Sequence, residues 1–341
     1  MKLNAESKLT LYPLKIHPDK KNFIIEDEAT GEFFEMPQIC IDAIELINQG
    51  KKLSEVEYQL LQVYSSEEVE VIDFAYQLME FGLVKTVDGQ ATSVVKKTPS
   101  IKGMRWISPK LGKLFFNKIS TILYFAFFIM NITLIIFHPE FIPHYRDIFL
   151  VDSIVLSVLI YAAISFLLLM IHELGHILAI RSYDLPTKLS VGHRLIFIVL
   201  ETDLTSAWKL PPRKRNTLYL GGMAFEQVIL STTLLLSIFL NGSGTFWTSI
   251  LTIIIFDICI KTVYQCCIYM KTDLYYVFEN MTSCYSLMEN SKDYLSKWFP
   301  FLKQKENTEI FSGESLVVRL YSILYLIGPP LTVALLVFIW L

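Results

Sequence analysis

Charge is scarce in this sequence. Asp, Glu, Lys and Arg make up 18% of 341 residues, against about a quarter in soluble domains. With a hydrophobic share of 53%, that scarcity argues against an ordinary soluble protein and for a membrane protein. Basic excess is also missing: a net charge of −3 gives no reason to expect a nucleic-acid partner. No cleavable signal is visible near the N-terminus, where Asp19, Glu26, Asp27 and Glu28 interrupt any apolar core. Cysteine is sparse and odd in number, at positions 40, 259, 266, 267 and 284, without the paired spacing of a metal knuckle. All five read as reduced and structural.

What the sequence does have is long apolar runs, all after residue 118. A membrane helix needs about 20 mostly apolar residues. Residues 119–137, 150–180, 216–240, 246–270 and 317–341 qualify. The second run is longer than needed and predicts a tilted helix, or a separate interfacial turn near Ile148. Between Ala91 and Ser120 lie Lys96, Lys97, Lys102, Arg105, Lys110, Lys113 and Lys118, with no acidic residue. That bias predicts a cytoplasmic N-terminus. Residues 138–149 and 241–245 carry only Arg146 as a basic residue and belong outside. Five crossings of the cytoplasmic membrane then put the C-terminus outside. Between the second and third runs, Leu195–Leu200 is a short β-branched-rich stretch, and it predicts a strand or hairpin dipping into the bilayer against the protein. His193 beside it reads as a surface residue.

The expected organisation is a small α+β domain over 1–90, a basic cytoplasmic linker over 91–118 and a polytopic helical membrane domain over 119–341. In the first, Phe23–Ile25 and Glu32–Phe34 flank a turn and predict a hairpin. Pro37 opens a helix with Ile41, Ile44 and Ile47 on one face, stopped by Gly50. Ser54 with Glu57, and Ser65 with Glu68, read as capping boxes for two more helices, the last ending at Gly82 before a strand over 83–87. Hairpin, three helices and strand make a winged-helix arrangement. Poor in Arg and rich in Glu, it resembles the PqqD-like domains that bind leader sequences of ribosomally made, modified peptides. In those domains the leader adds a strand at the hairpin edge. A winged helix serving dimerisation or regulation is the plainer alternative.

His172-Glu173-Leu-Gly-His176 is the chemical centre. On a helix, positions i and i+4 stack on one face, so both imidazoles can hold one ion, and Glu173 can reach a metal-bound water. Intramembrane ionisable groups default to function. Zinc needs a third protein ligand and an open position. Topology brings Asp273, just past the fourth run, to the depth of His172. The sequence here resembles the site-2 protease family of intramembrane zinc proteases. The stretch Glu201–Trp208, then Arg213–Arg215 and Gly221–Glu226, resembles its peptide zinc metalloprotease branch, whose members accompany gene clusters for modified peptides and bacteriocins. The similarity covers roughly residues 120 to 280.

The resemblance implies His172, His176 and Asp273 as zinc ligands and Glu173 as general base. The family commonly has Asn and Pro before the aspartate and Gly after it. This chain has Gln265, Ile268 and Leu274. Gln265 would then offer its amide to the reacting carbonyl, and the helix is expected to continue through Asp273. Glu226, taken to lie roughly three turns into the third run, matches the family glutamate, which implies a partner for a zinc-bound histidine or a proton carrier. A protonated carboxyl bonding another helix is the alternative. Asp257 and Lys261, one turn apart, predict a structural ion pair, and Gly328–Pro330 a kink.

The reading is a zinc metallopeptidase in which the 195–200 strand clamps an extended substrate and the N-terminal domain holds a leader. A modified-peptide precursor is the first substrate and a transmembrane regulator the second. A zinc-retaining, non-hydrolytic export or immunity module is the alternative, which the intact Glu173 argues against.

Overall fold

The computed structural model describes residues 2–65, 69–92, 103–194, 197–240, 246–302 and 314–340, without the side chains of 193–199, 301 and 335–340. The chain forms two compact units: residues 1–101 with 208–211, and residues 102–207 with 212–341.

In the first unit, β1 (Leu9–Leu11), β2 (Leu14–Pro18), β3 (Phe23–Asp27) and β4 (Phe33–Met36) precede α1 (Gln38–Asn48), α2 (Leu53–Val63) and α3 (Val71–Glu80). Strands β5 (Val84–Val87) and β6 (Gln90–Ala91) follow. Hairpin β3–β4 pairs Phe23 with Met36 and Ile25 with Phe34. The sequence showed that hairpin but neither β1, only three residues long, nor β2. β2 extends the hairpin into a sheet ordered β2-β3-β4, and β1 pairs with β5. Ile41, Ile44 and Ile47 of α1 are buried with Val56, Leu60, Ala75 and Leu78; burying each isoleucine contributes about 1.5–3 kcal/mol. One cap differs from expectation. α2 begins at Leu53, and Glu55, not Glu57, accepts from the Lys52 backbone N–H at 3.1 Å. The proposed Ser65–Glu68 box lies partly outside the described residues.

The second unit starts with α4 (Pro109–Phe115) and α5 (Lys118–Phe137), followed by α6 (Ile154–Arg181), β7 (Leu189–Arg194) and β8 (Phe197–Thr202). Then come α7 (Pro212–Tyr219), α8 (Gly221–Phe239), α9 (Phe246–Gln265), α10 (Asp273–Thr282), α11 (Leu287–Ser296) and α12 (Ser315–Trp340). Among the described residues, α5, α6, α8, α9 and α12 are the five helices long and apolar enough to cross a membrane. They are the make-up of a polytopic helical membrane protein. Large apolar side chains stay exposed along them, including Ile122 and Phe125 of α5 and Leu159 and Phe166 of α6, as lipid-facing surfaces require.

Of three boundaries, one matches an alternative the sequence offered and two differ from it. A short 3₁₀ turn at Tyr145–Ile148 precedes α6, the separate turn anticipated there. The run over 216–240 is two helices, broken at Leu220, so Glu226 lies in the second turn of α8 rather than three turns in. The fourth run ends at Gln265, and residues 266–272 are not helical. α12 runs helical through Pro329 and Pro330. The residues taken as a linker are partly packed: Ile107 lies in a core with Ile177 and Leu178, and its carbonyl accepts from Arg181 Nε at 2.9 Å.

α8 packs against α5, α6 and α9. Asn131 of α5 donates to the Gln227 carbonyl at 3.0 Å and accepts from Ser231 at 2.7 Å, the interhelical bonding that holds helices together in lipid. At the α6–α8 crossing, a Cβ on Gly175 would strike the Gly221 carbonyl, and one on Gly222 would strike the His172 ring. Glycine there lets α8 approach closely enough to bring Glu226 to His172.

Candidate metal centre

α6 places His172 and His176 one turn apart, both buried. The third residue comes from a break in the chain. Thr272 caps α10, its Oγ1 accepting from Tyr275 N at 3.3 Å and donating to the Gln265 carbonyl at 3.0 Å. Asp273 is therefore the first residue of α10, where a helix N-terminus favours negative charge. The expectation of continuous helix through Asp273 is corrected: the chain opens after Gln265 even without Pro or Gly, because Thr272 supplies the cap.

Three atoms converge. His172 Nε2 and His176 Nε2 are 3.1 Å apart, and Asp273 Oδ2 lies 3.1 Å from the first and 3.4 Å from the second. Zinc bound at about 2.0–2.1 Å in a tetrahedron would separate its ligand atoms by about 3.3 Å. The triangle fits that ion.

The far sides of the imidazoles fix which nitrogens are acceptors. His176 Nδ1 is 2.8 Å from the Leu218 carbonyl, which accepts only from an N–H. His172 Nδ1 lies 3.0 Å from Glu226 Oε1. That contact is close but off the hydrogen-bond line; the proton still belongs on Nδ1, since a lone pair there would face a carboxylate. Both Nε2 atoms therefore turn lone pairs towards Asp273. Three acceptors in contact repel unless protons or a cation lie between them, and a divalent ion does what shared protons do without disturbing the Nδ1 partners. Among the described residues, His172, His176 and Asp273 form the group able to hold a metal.

The surrounding residues support these three. Gln265 Nε2 donates to Asp273 Oδ2 at 2.8 Å, and Gln265 Oε1 accepts from Asp273 N at 2.9 Å. The amide expected to face a reacting carbonyl is thus occupied in fixing Asp273. Glu226 is 1% exposed, and neither carboxylate oxygen has a hydrogen-bond partner among the described residues. What it faces is His172, through Nδ1. Glu173 is buried, within Coulombic reach of His176, and accepts from Thr202 Oγ1 at 2.7 Å. Thr202 falls within the Glu201–Trp208 stretch, where the sequence alone assigns it no role. The Leu218 carbonyl has no signal in sequence at all.

The 195–200 stretch belongs to a hairpin in which β7 and β8 pair antiparallel, Leu189 opposite Thr202 and Arg194 opposite Phe197. Residues 195 and 196 and the His193 side chain lie outside the described residues. β8 packs on α6. Asp257 and Lys261 form the expected pair at 2.6 Å, and Lys261 also donates to the Ser165 carbonyl at 3.2 Å. Comparison of the chain with protein-family models, curated proteins and solved structures found no match.

Proposed function

We propose that this chain is a membrane-embedded zinc metallopeptidase of the site-2 protease type. The observation that carries the reading is the triangle of His172 Nε2, His176 Nε2 and Asp273 Oδ2, at separations of 3.1 to 3.4 Å, with His176 Nδ1 on the Leu218 carbonyl and His172 Nδ1 beside Glu226. These residues would hold zinc. The chemistry zinc supplies when bound is activation of a water molecule and polarisation of a carbonyl. Glu173 takes the proton of the attacking water on its carboxylate and delivers it to the leaving amine. Gln265 keeps Asp273 in place, and Glu226 keeps the His172 proton on Nδ1.

The substrate is a peptide, with the precursor of a ribosomally made, modified peptide as the first candidate. Hairpin, three helices and a returning strand in the first unit support a winged-helix leader-binding domain, and its β2-β3-β4 sheet leaves β2 and β4 as edges for an added strand. The Lys and Arg bias before α5 supports a cytoplasmic N-terminus and, with five crossings, an external C-terminus.

The test is cleavage of fluorescein-labelled β-casein and of leader-bearing peptides by detergent-purified protein. Wild type cleaves at least one of them. Glu173→Gln keeps its zinc and loses on the order of a thousandfold in kcat. Equal cleavage by the variant would sink the assignment of Glu173 and point to a contaminating protease.

A further inference from the structure

The base of this site is held by a residue from outside the helix that carries it. Thr202 ends β8, and its hydroxyl donates to Glu173 Oε2 at 2.7 Å. The same hydroxyl has a second acceptor in reach, the Glu173 backbone carbonyl at 3.3 Å.

Thr202 is not the loose end of a strand. The hairpin is closed at its base by neighbours on both sides. Asp203 N donates to the Lys188 carbonyl at 2.8 Å, and the buried Thr187 donates through Oγ1 to the Asp203 carbonyl at 2.7 Å. Ser190 Oγ reaches the Glu201 carbonyl at 3.2 Å, and Ser206 Oγ the Pro186 carbonyl at 3.1 Å. Thr202 thus sits within a bonded frame and brings that frame's position to the carboxylate. Glutamate otherwise has three side-chain torsions to settle, and its other anchor is the helix backbone alone.

We infer that Thr202 is the positioning residue of the general base, so that the β7–β8 hairpin, and not α6 alone, sets where the Glu173 carboxylate points. This rests on the reading of Glu173 as the base of a zinc peptidase. Its consequence is mechanical. The hairpin proposed to grip an extended substrate is the element that aims the base, so a chain paired along the hairpin and the carboxylate share one frame. The hydroxyl also suits both halves of a proton transfer. It donates to Oε2 while the carboxylate is bare; once Oε2 carries a proton, that O–H donates to Thr202 Oγ1 and the Thr202 proton turns to the Glu173 carbonyl.

Thr202→Val keeps the shape and β-branching of the side chain and removes the hydroxyl, and Thr202→Ser restores it. Three quantities are read on detergent-purified, full-length protein: bound zinc, kcat and KM on fluorescein-labelled β-casein, and affinity for acetohydroxamate. A hydroxamate bound to such a zinc places its O–H against the base, so its affinity reports the carboxylate position without turnover. Thr202→Val is expected to keep zinc and KM, to lose about tenfold or more in kcat and to bind acetohydroxamate about tenfold more weakly, the scale of a hydrogen bond to a charged group. Thr202→Ser recovers most of both. Thr202→Val equal to wild type in kcat and in acetohydroxamate affinity overturns the inference, as does a loss in Val that Ser does not restore. If zinc-loaded wild type leaves casein intact, the peptidase reading fails on that substrate, and the acetohydroxamate comparison still decides Thr202. If wild type holds no zinc, both fall.

Discussion

Each imidazole in the centre is held at both ends: His176 between Asp273 and the Leu218 carbonyl, His172 between Asp273 and Glu226. Buried Glu226, with no other partner among the described residues, is placed to keep the His172 proton on Nδ1 and so raise the donor strength of Nε2 towards a cation. Replacing Glu226 by Gln keeps an acceptor but removes the charge, so zinc affinity falls by about tenfold; Leu removes both, and the loss approaches about a hundredfold. Competition with a chelator of known affinity measures this. Unchanged affinity in Glu226→Leu would make the carboxylate merely a helix–helix contact. His172, Glu173 and His176 were legible because their relation is local, fixed by helical geometry within five residues. Asp273 was legible as a depth and from the resemblance, but not as a geometry. The roles of Gln265 and Thr202 were not legible, since each depends on a contact made by an element whose end the sequence does not mark: the break after α9 and the base of the β7–β8 hairpin.

The break after Gln265 does most to build the site, because it makes Asp273 the first residue of a new, capped helix beside the two histidines. Pro and Gly are the usual signals for such a break, and neither is present. Thr272 achieves it with a side-chain cap and a bond back to the Gln265 carbonyl. Apolar runs announced the helices α5, α6, α8, α9 and α12 well, because a span is a long, composition-driven signal. They did not announce the division of 216–240 at Leu220, where apolarity continues across the break. Higher on α9, the Asp257–Lys261 pair faces α6 and bonds the Ser165 carbonyl. Lys261→Met leaves Asp257 buried without its cation, and should destabilise the protein by about 3–5 kcal/mol. Adding Asp257→Leu should recover most of that loss, since the desolvation cost goes with both charges. Thermal unfolding in detergent distinguishes the outcomes. A double variant as unstable as the single one would mean the pair has a role beyond charge balance.

At the scale of the whole molecule, two units divide the work proposed here: one an α+β body with sheet edges, the other a bundle with five helices long and apolar enough to cross a membrane. The bundle assembles its centre from segments separated by 101 residues: His172 of α6 meets Asp273 beyond the end of α9, while Gly175, Gly221 and Gly222 let α8 lie close on α6. Shared frames of this kind make the metal a report on the fold. The most direct test is therefore the zinc content of the purified, full-length protein, by elemental analysis, for wild type and Asp273→Ala. About one zinc per wild-type chain is expected, with affinity lowered about a hundredfold or more in the variant, as for loss of one of three protein ligands. Wild type that takes up no zinc, or Asp273→Ala that holds it as tightly, would contradict the centre described here.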